Sequence, residues 1–262
     1  CAFAMEAYEQ GRITKEDLGG IELHWGDGDA MLALLEKISE RDGDIPTLLG
    51  EGVRAAAEKL GVEDPLHVNG AVVPAHDPRA FVSMAVATAT SMKGASHLHG
   101  FPEAIEVGVT FPETELPELM QPLDPHSPDH KGLAAMKYQD RMAIANSVIF
   151  CFLYEFSGLD FTWLTKFLNA VTGWEMSPQD LLKTGERIIN LMNMFNIKHG
   201  MDPVRQYRLP QRFLRPHKEG GAAGVQIQFD EMINEYYSFR NWPNGTPTAE
   251  KLKELKLDFC LK

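Results

Sequence analysis

Three places in this sequence carry side chains that could do chemistry. Cys151 lies in "IANSVIFCFLYEF", residues 144–156, and is the one cysteine in the middle of the chain. Its thiol has two readings. Beside Phe150, Phe152 and Leu153 a free cysteine serves as a small core hydrophobe; as a thiolate it is a metal ligand. No pair of cysteines sits at metal-binding spacing, so the chain's own thiols cannot complete a zinc or iron–sulfur site, and a metal at Cys151 needs ligands from elsewhere. His97 and His99, in "SHLHG", lie between Gly94 and Gly100, which let other groups approach closely. On extended backbone the two imidazoles face one side and could donate or accept a proton in a cleft; at a glycine-rich corner they serve equally as surface or capping groups. His126 and His130, with Asp124 and Asp129, have the spacing of a helical metal pair, but Pro125 and Pro128 break the helix this requires, which favours a solvated loop.

The elements that must position these groups are mostly helices, because apolar residues recur at helical spacing and almost nothing alternates as a strand does. Three amphipathic stretches open the chain. "AFAMEAYEQGRI" is stopped by Gly11, "GDGDAMLALLEKISERDG" is capped by Asp27 or Asp29 with Met31, Leu34, Leu35 and Ile38 on one face, and "IPTLLGEGVRAAAEKLG" closes at Gly61. "GGIELHW" and Val225–Gln228 are the strand candidates. The proline-rich "EDPLHVNGAVVPAHDPR" reads as irregular and marks a boundary, giving two helical domains, residues 1–66 and 67–262. Asp77 with Pro78 predicts a helix start that runs to Gly94 and delivers the two histidines into a loop. Residues 101–130 hold six prolines, so an extended surface excursion is expected there. A helix then runs from about Lys131 through Phe156. Another opens at Ser177, a capping box with Asp180, and is apolar on more than one side; Glu186 and Arg187 within it read as a buried ion pair. "FDEMINEYYSFRNW" and "PTAEKLKELKL" finish the chain as helices. The fold class is mainly α.

Composition narrows the partners. With 37 acidic residues against 25 basic ones the net charge is −12 and no basic stripe is visible, which argues against nucleic acid or an anionic membrane. Three scattered cysteines fit a reducing compartment, so the cytoplasm is expected. The longest apolar run, Val148 to Tyr154, is far short of the roughly 20 residues that cross a bilayer. The chain opens at Cys1 inside a helical pattern, which predicts residues upstream. No phosphate loop, dinucleotide fingerprint, zinc-protease motif or nucleophile elbow occurs.

The segments "AFAMEAYEQGRITKEDLGGIELHWGDGDAMLALLEKI", "PAHDPR", "ATSMKGASHLHG", "TGWEMSPQDLLKTGERIINLMNMFNIKHG", "LPQRF" and "EYYSFRNWPNGTPTAEKLKELKL" together resemble the C-terminal part of the aldehyde:ferredoxin oxidoreductase family, in the family's order and over nearly the whole chain. The resemblance implies a tungsten (or molybdenum) bis-pterin cofactor and a [4Fe–4S] cluster, both needing an N-terminal remainder that this chain lacks. It implies oxidation of an aldehyde to a carboxylic acid, with electrons passed to ferredoxin, and a homodimer as one possible assembly. The family closes a D-x-x-G-[IL]-C motif with its fourth cluster cysteine. The matching stretch here is "NSVIFC", so the resemblance assigns Cys151 to iron, Asn146 to the pterin-facing position, and His99 and Phe152 to the cofactor's surroundings. It also assigns His97 as the catalytic proton carrier. Asn146 and Ile149 depart from the family's Asp and Gly, and an amide offers one acceptor oxygen where a carboxylate offers two and a charge. That departure keeps two other readings: the tungsten subunit of a class II benzoyl-CoA reductase, acting on an acyl-CoA substrate, and a truncated helical module that binds a partner subunit and has no cofactor.

Overall fold

The computed structural model describes the backbone of residues 1–262 and every side chain except those of Tyr154 and Glu155. Residues Cys1–Val73 form one compact unit and Pro74–Lys262 a second. In the first, the amphipathic stretches become α1 (Ala2–Glu9), α2 (Gly28–Glu40), α3 (Asp44–Gly50) and α4 (Val53–Leu60). Asp27 caps α2, accepting from the Ala30 amide at 2.9 Å. The core gathers Ala4, Ala7, Ile13, Leu18, Leu23 and Leu34, while Met31 and Leu35 are exposed at 37% and 46%. The apolar face of α2 is therefore wider than the core it meets. The third expected helix is two, α3 and α4, because Gly52 takes φ 98° between them.

"GGIELHW" forms no strand, although Leu23 is buried. The strands lie instead in the stretch read as irregular. β1 (His67–Val68) and β2 (Ala71–Val72) pair antiparallel, His67 opposite Val72, around Asn69 and Gly70 at φ 53° and 87°. An Asn-Gly dipeptide suits this turn because both central residues need positive φ. The hairpin packs on α4, so the first unit extends to Val73 rather than stopping at residue 66.

The second unit contains α5 (Ser83–Ala89), α6 (Glu103–Glu106), α7 (Lys131–Ser147), α8 (Phe161–Thr172), α9 (Pro178–Lys198), α10 (Pro203–Gln206), α11 (Phe229–Arg240) and α12 (Ala249–Glu254). Its axis is α7, where every residue from Lys131 to Ala145 except Lys137 is buried. Such a helix must be covered on all sides, and α5, α9 and α11 do so. Two glycines set the distances. A Cβ on Gly185 of α9 would stand 2.0 Å from the Asp140 carbonyl oxygen, and one on Gly132 of α7 would stand 2.4 Å from the Tyr236 amide nitrogen of α11.

Several polar groups buried by this packing find partners. Arg240 donates to Asp140 at 2.5 Å and to the Met136 carbonyl at 2.9 Å; burial opposes its charge, but the Asp140 carboxylate more than offsets that and holds the guanidinium ionised. Lys131 pairs with Glu106 at 2.5 Å, both side chains fully buried. On α9, Asn190 accepts from the Trp242 indole at 2.8 Å, and Asn193 donates to the Gly245 carbonyl at 2.9 Å while accepting from Tyr207 at 2.7 Å.

Several expectations change here. Asp77 does not cap a helix: its carboxylate accepts from the Arg79 amide and guanidinium, and α5 begins at Ser83. Residues 101–130 are no surface excursion, since Ile105, Phe111 and Leu119 are buried and α6 supplies Glu106 to Lys131. The helix from Lys131 stops at Ser147 instead of reaching Phe156. α8 follows, a helix with no counterpart among the expected elements. Val225–Gln228 forms no strand. Glu186 pairs with Lys251 of α12 at 3.0 Å, not with Arg187, its neighbour one residue on and so around the helix. The capping box at Ser177 and Asp180 stands as read.

The crossing at Gly185 yields the first expected outcome. Gly185→Ala forces α9 away from the Asp140 carbonyl and should destabilise the unit by at least about 2 kcal/mol, in the range of core overpacking. Urea denaturation reads this as a lower midpoint; an unchanged midpoint would show that α7 and α9 are not in backbone contact there.

Candidate functional site

The C-terminal end of α7 is closed by a left-handed residue. The Phe150 amide donates to the Ala145 carbonyl at 2.9 Å, the Ile149 amide points to the Asn146 carbonyl at 3.4 Å, and Ile149 has φ 58°. This is a Schellman closure, which usually places glycine at the left-handed position; a β-branched residue there costs roughly 1–2 kcal/mol. The turn stops the helix and sends Phe150, Cys151 and Phe152 in a new direction. Cys151 is exposed, so the core-hydrophobe reading does not describe it in this chain. Phe152 is half-buried and rests on Phe101, ring centroids 4.4 Å apart.

His97 and His99 occupy one short 3-10 turn, Ser96 being extended before it and Gly100 ending it. They do not face one side. His97 stacks on His76, centroids 4.3 Å apart and planes 22° from parallel, while His99 lines a cavity of about 370 Å³ with Lys93, Ala143, Asn146, Ser147, Ile188, Ile189 and Met192. The cavity wall is built from the last turn of α7 and the middle of α9. Asn196 of α9 donates to the Met92 carbonyl at 2.9 Å, tying the histidine loop to that helix. Burial, then the nearby Lys93 charge, depresses His99 to about 4; burial and then His76 lower His97 from its ordinary value. Both rings are therefore neutral near pH 7.

The structure thus brings Asn146 and His99 to one cavity and Phe152 to a neighbouring turn. It adds Lys93 and Ser147, for which spacing gave no signal, and His76, which lies in the quoted "PAHDPR" segment but drew no attention as a side chain. His126 and His130 do not converge: the His126 amide donates to Asp124 and His130 Nδ1 lies 3.8 Å from Glu235. Among the described residues no three His, Cys, Asp or Glu side chains are grouped to hold a metal. A larger cavity of about 740 Å³ lies along α11, beside Arg208, Asp230 and Tyr237, and holds none of the residues singled out by sequence. No helix is long and apolar enough to cross a membrane among the described residues.

Residues 1–257 match the family model for aldehyde ferredoxin oxidoreductase, domains 2 and 3. The chain belongs to this family. It is 35% identical to the tungsten-containing aldehyde ferredoxin oxidoreductase of Pyrococcus horikoshii over 98% of this chain and 42% of the relative, and 35% identical to that of Pyrococcus furiosus over 97% and 41%. The WOR-like subunit of a Pyrococcus furiosus aliphatic sulfonate oxidoreductase is 28% identical, over 97% of this chain and 38% of the relative. The chain therefore spans less than half the length of the curated relatives it matches. Among solved structures, the active-site complex BamBC of benzoyl coenzyme A reductase with 1,5-dienoyl-CoA shares the fold, with a TM-score of 0.66 at 20% identity over 99% of this chain and 43% of that one. Position 149, where isoleucine stands in place of the glycine that the resemblance expects, takes a left-handed backbone.

The depressed His99 gives a pH dependence. Its folded-state value of about 4 lies below the ordinary 6.5, so between these the unfolded chain binds a proton that the folded chain does not, and stability falls as pH drops from about 6.5 to about 4. His99→Asn should flatten that part of the acid limb. Imidazole proton NMR of His99 should show a neutral ring at pH 5; a midpoint near 6.5 would mean that the cavity does not desolvate it.

Proposed function

We propose that this chain is the C-terminal portion of a tungsten-pterin, [4Fe–4S] aldehyde:ferredoxin oxidoreductase. The observation that carries the reading is the meeting of Asn146 and His99 in one cavity beside the turn that exposes Cys151. A cavity with an amide, a hydroxyl, an amine and an imidazole on one side and Ile188, Ile189 and Met192 on the other fits a flat heterocycle rich in hydrogen-bonding groups. An exposed thiol fits iron, and as a single thiolate it would be one ligand of a cluster completed by residues outside this chain.

In this reading Asn146 offers its carbonyl and amide to the pterin edge, with His99 and Ser147 on the same wall and Phe152 flanking the cluster side. When bound, the metal–pterin group supplies two-electron chemistry and the cluster supplies one-electron transfer. The overall reaction takes an aldehyde and water to a carboxylic acid, two protons and two electrons, the electrons leaving singly to ferredoxin. His97, neutral near pH 7 and half-buried, accepts a proton released in that oxidation and returns it to solvent.

The surface around Cys151 supports an N-terminal remainder that covers it. Ile149 is 94% exposed, and Leu153 and Phe156 are each more than half exposed. On α8, Trp163, Phe167 and Val171, spaced four residues apart, form a second exposed apolar stripe. Contiguous apolar exposure of this kind marks an interface.

In the full-length enzyme Cys151→Ser should abolish the electron paramagnetic resonance signal of the reduced [4Fe–4S] cluster, and an unchanged signal removes the cysteine from the metal site. His97→Ala should lower turnover at least about a hundredfold, as loss of a positioned acid or base does. That turnover is assayed with aliphatic aldehydes and, in parallel, with benzoyl-CoA. Activity with benzoyl-CoA alone would move the chain to the benzoyl-CoA reductase reading, and absence of iron and tungsten from the purified full-length protein would leave a helical partner module.

A further inference from the structure

The His76 ring stacks on His97, and the assignment of His97 to proton transfer gives it no role. We propose that His76 is a positioning residue for His97, a flat plate that fixes the plane of the His97 ring and opposes a positive charge on it. This rests on the reading of His97 as the proton carrier.

The geometry supports both parts. Centroids 4.3 Å apart and planes 22° from parallel make an offset stack, which removes rotation of the His97 ring about its last side-chain bond. One imidazolium on a neutral ring is an attractive cation–π arrangement, whereas two imidazolium charges at this separation repel. Positive charge on the His76 side therefore opposes protonation of His97, which burial already disfavours.

Among the described residues, the charged groups on the elements packed against this turn are accounted for. α5 and α7 pack on the His97–His99 turn. α5 carries no ionisable side chain, and on α7 Lys131 is held by Glu106, Asp140 by Arg240, and Arg141 lies over the Phe111 ring at 4.2 Å, which leaves Lys137, half-buried and within Coulombic reach of Asp140. Lys93 acts on His99. On the His76 side, Asp77 is taken by Arg79 at 2.6 Å and by His217 at 3.1 Å. Burial and His76 are what lower His97. His76 is itself exposed, so replacing it takes nothing from the core.

The test follows the His97 ring proton by NMR against pH in the full chain, in three forms: unchanged, His76→Phe and His76→Ala. Phenylalanine keeps the plate and removes the charge, so the His97 midpoint should rise by roughly half a unit or more while the ring stays ordered. Alanine removes both, so the midpoint should rise and the ring signal should show rotational averaging. In the full-length enzyme the acid limb of the kcat profile should move up with His76→Phe at nearly unchanged plateau, and the plateau should fall about tenfold with His76→Ala. A His97 midpoint that is the same in all three forms overturns the proposal. If the midpoint moves but His97→Ala does not slow turnover, the stacked pair stands and the catalytic reading of His97 falls.

Discussion

The second unit depends on a helix with no outside. α7 is buried along almost its whole length, and α9 and α11 reach it only because Gly185 and Gly132 carry no side chain where the backbones meet. Backbone contact at these two points brings charged groups into the interior, where Asp140 needs Arg240 and Lys131 needs Glu106. Buried pairs of this kind add little net stability, since desolvation offsets most of the attraction, yet an unpaired partner costs several kcal/mol. They act as registry pins: sliding α11 or the α6 segment along α7 by one turn would leave a charge buried alone. The satisfied amides of Asn190 and Asn193 do the same for α9 against the C-terminal segment.

That registry is what gives the site its geometry. Asn146 and Ser147 occupy the last turn of α7, Ile188, Ile189 and Met192 the face of α9 that crosses it, and His99 a loop tied to α9 through Asn196. The cavity lies between elements locked further back, so its walls are defined without any packing inside it. His97 and the exposed thiol lie on the 3-10 turn and the post-helix turn, while His76 lies in the irregular segment before α5.

Much of this was legible in the sequence, and the failures have physical causes. The helical class, the capping box at Ser177 and the start of α7 at Lys131 follow from local rules that tertiary structure did not override. The helix end at Ser147 was hidden because its stop signal is an isoleucine: periodicity continues through "VIFCFLYEF", and a left-handed residue without glycine leaves no mark. The hairpin at Asn69-Gly70 carried a clear turn signal and was lost to the surrounding prolines. α8 carried its signal too, an Asp160 cap and a Gly173 stop around apolar residues at helical spacing. At the site, residue types pointed to His97, His99 and Cys151, but the pairing of His97 with His76 joins positions 21 apart through an irregular segment, a contact that no spacing rule reports.

Ile149 makes the division between frame and site explicit. A β-branched residue at φ 58° is strained, and it persists because the Ala145 and Asn146 carbonyls are already committed to closing the helix. The frame imposes that backbone whatever side chain is present. Its side chain is 94% exposed, so the strain is not repaid by packing within this chain. A strained and exposed apolar residue two positions before an exposed thiol is unfavourable for an isolated helical unit and sensible for a surface that meets another part of a longer protein. The same logic covers Trp163, Phe167 and Val171: covering what is still exposed of them recovers part of the about 1.5–3 kcal/mol that full burial of a large apolar side chain gives, and over three residues that offsets the turn strain.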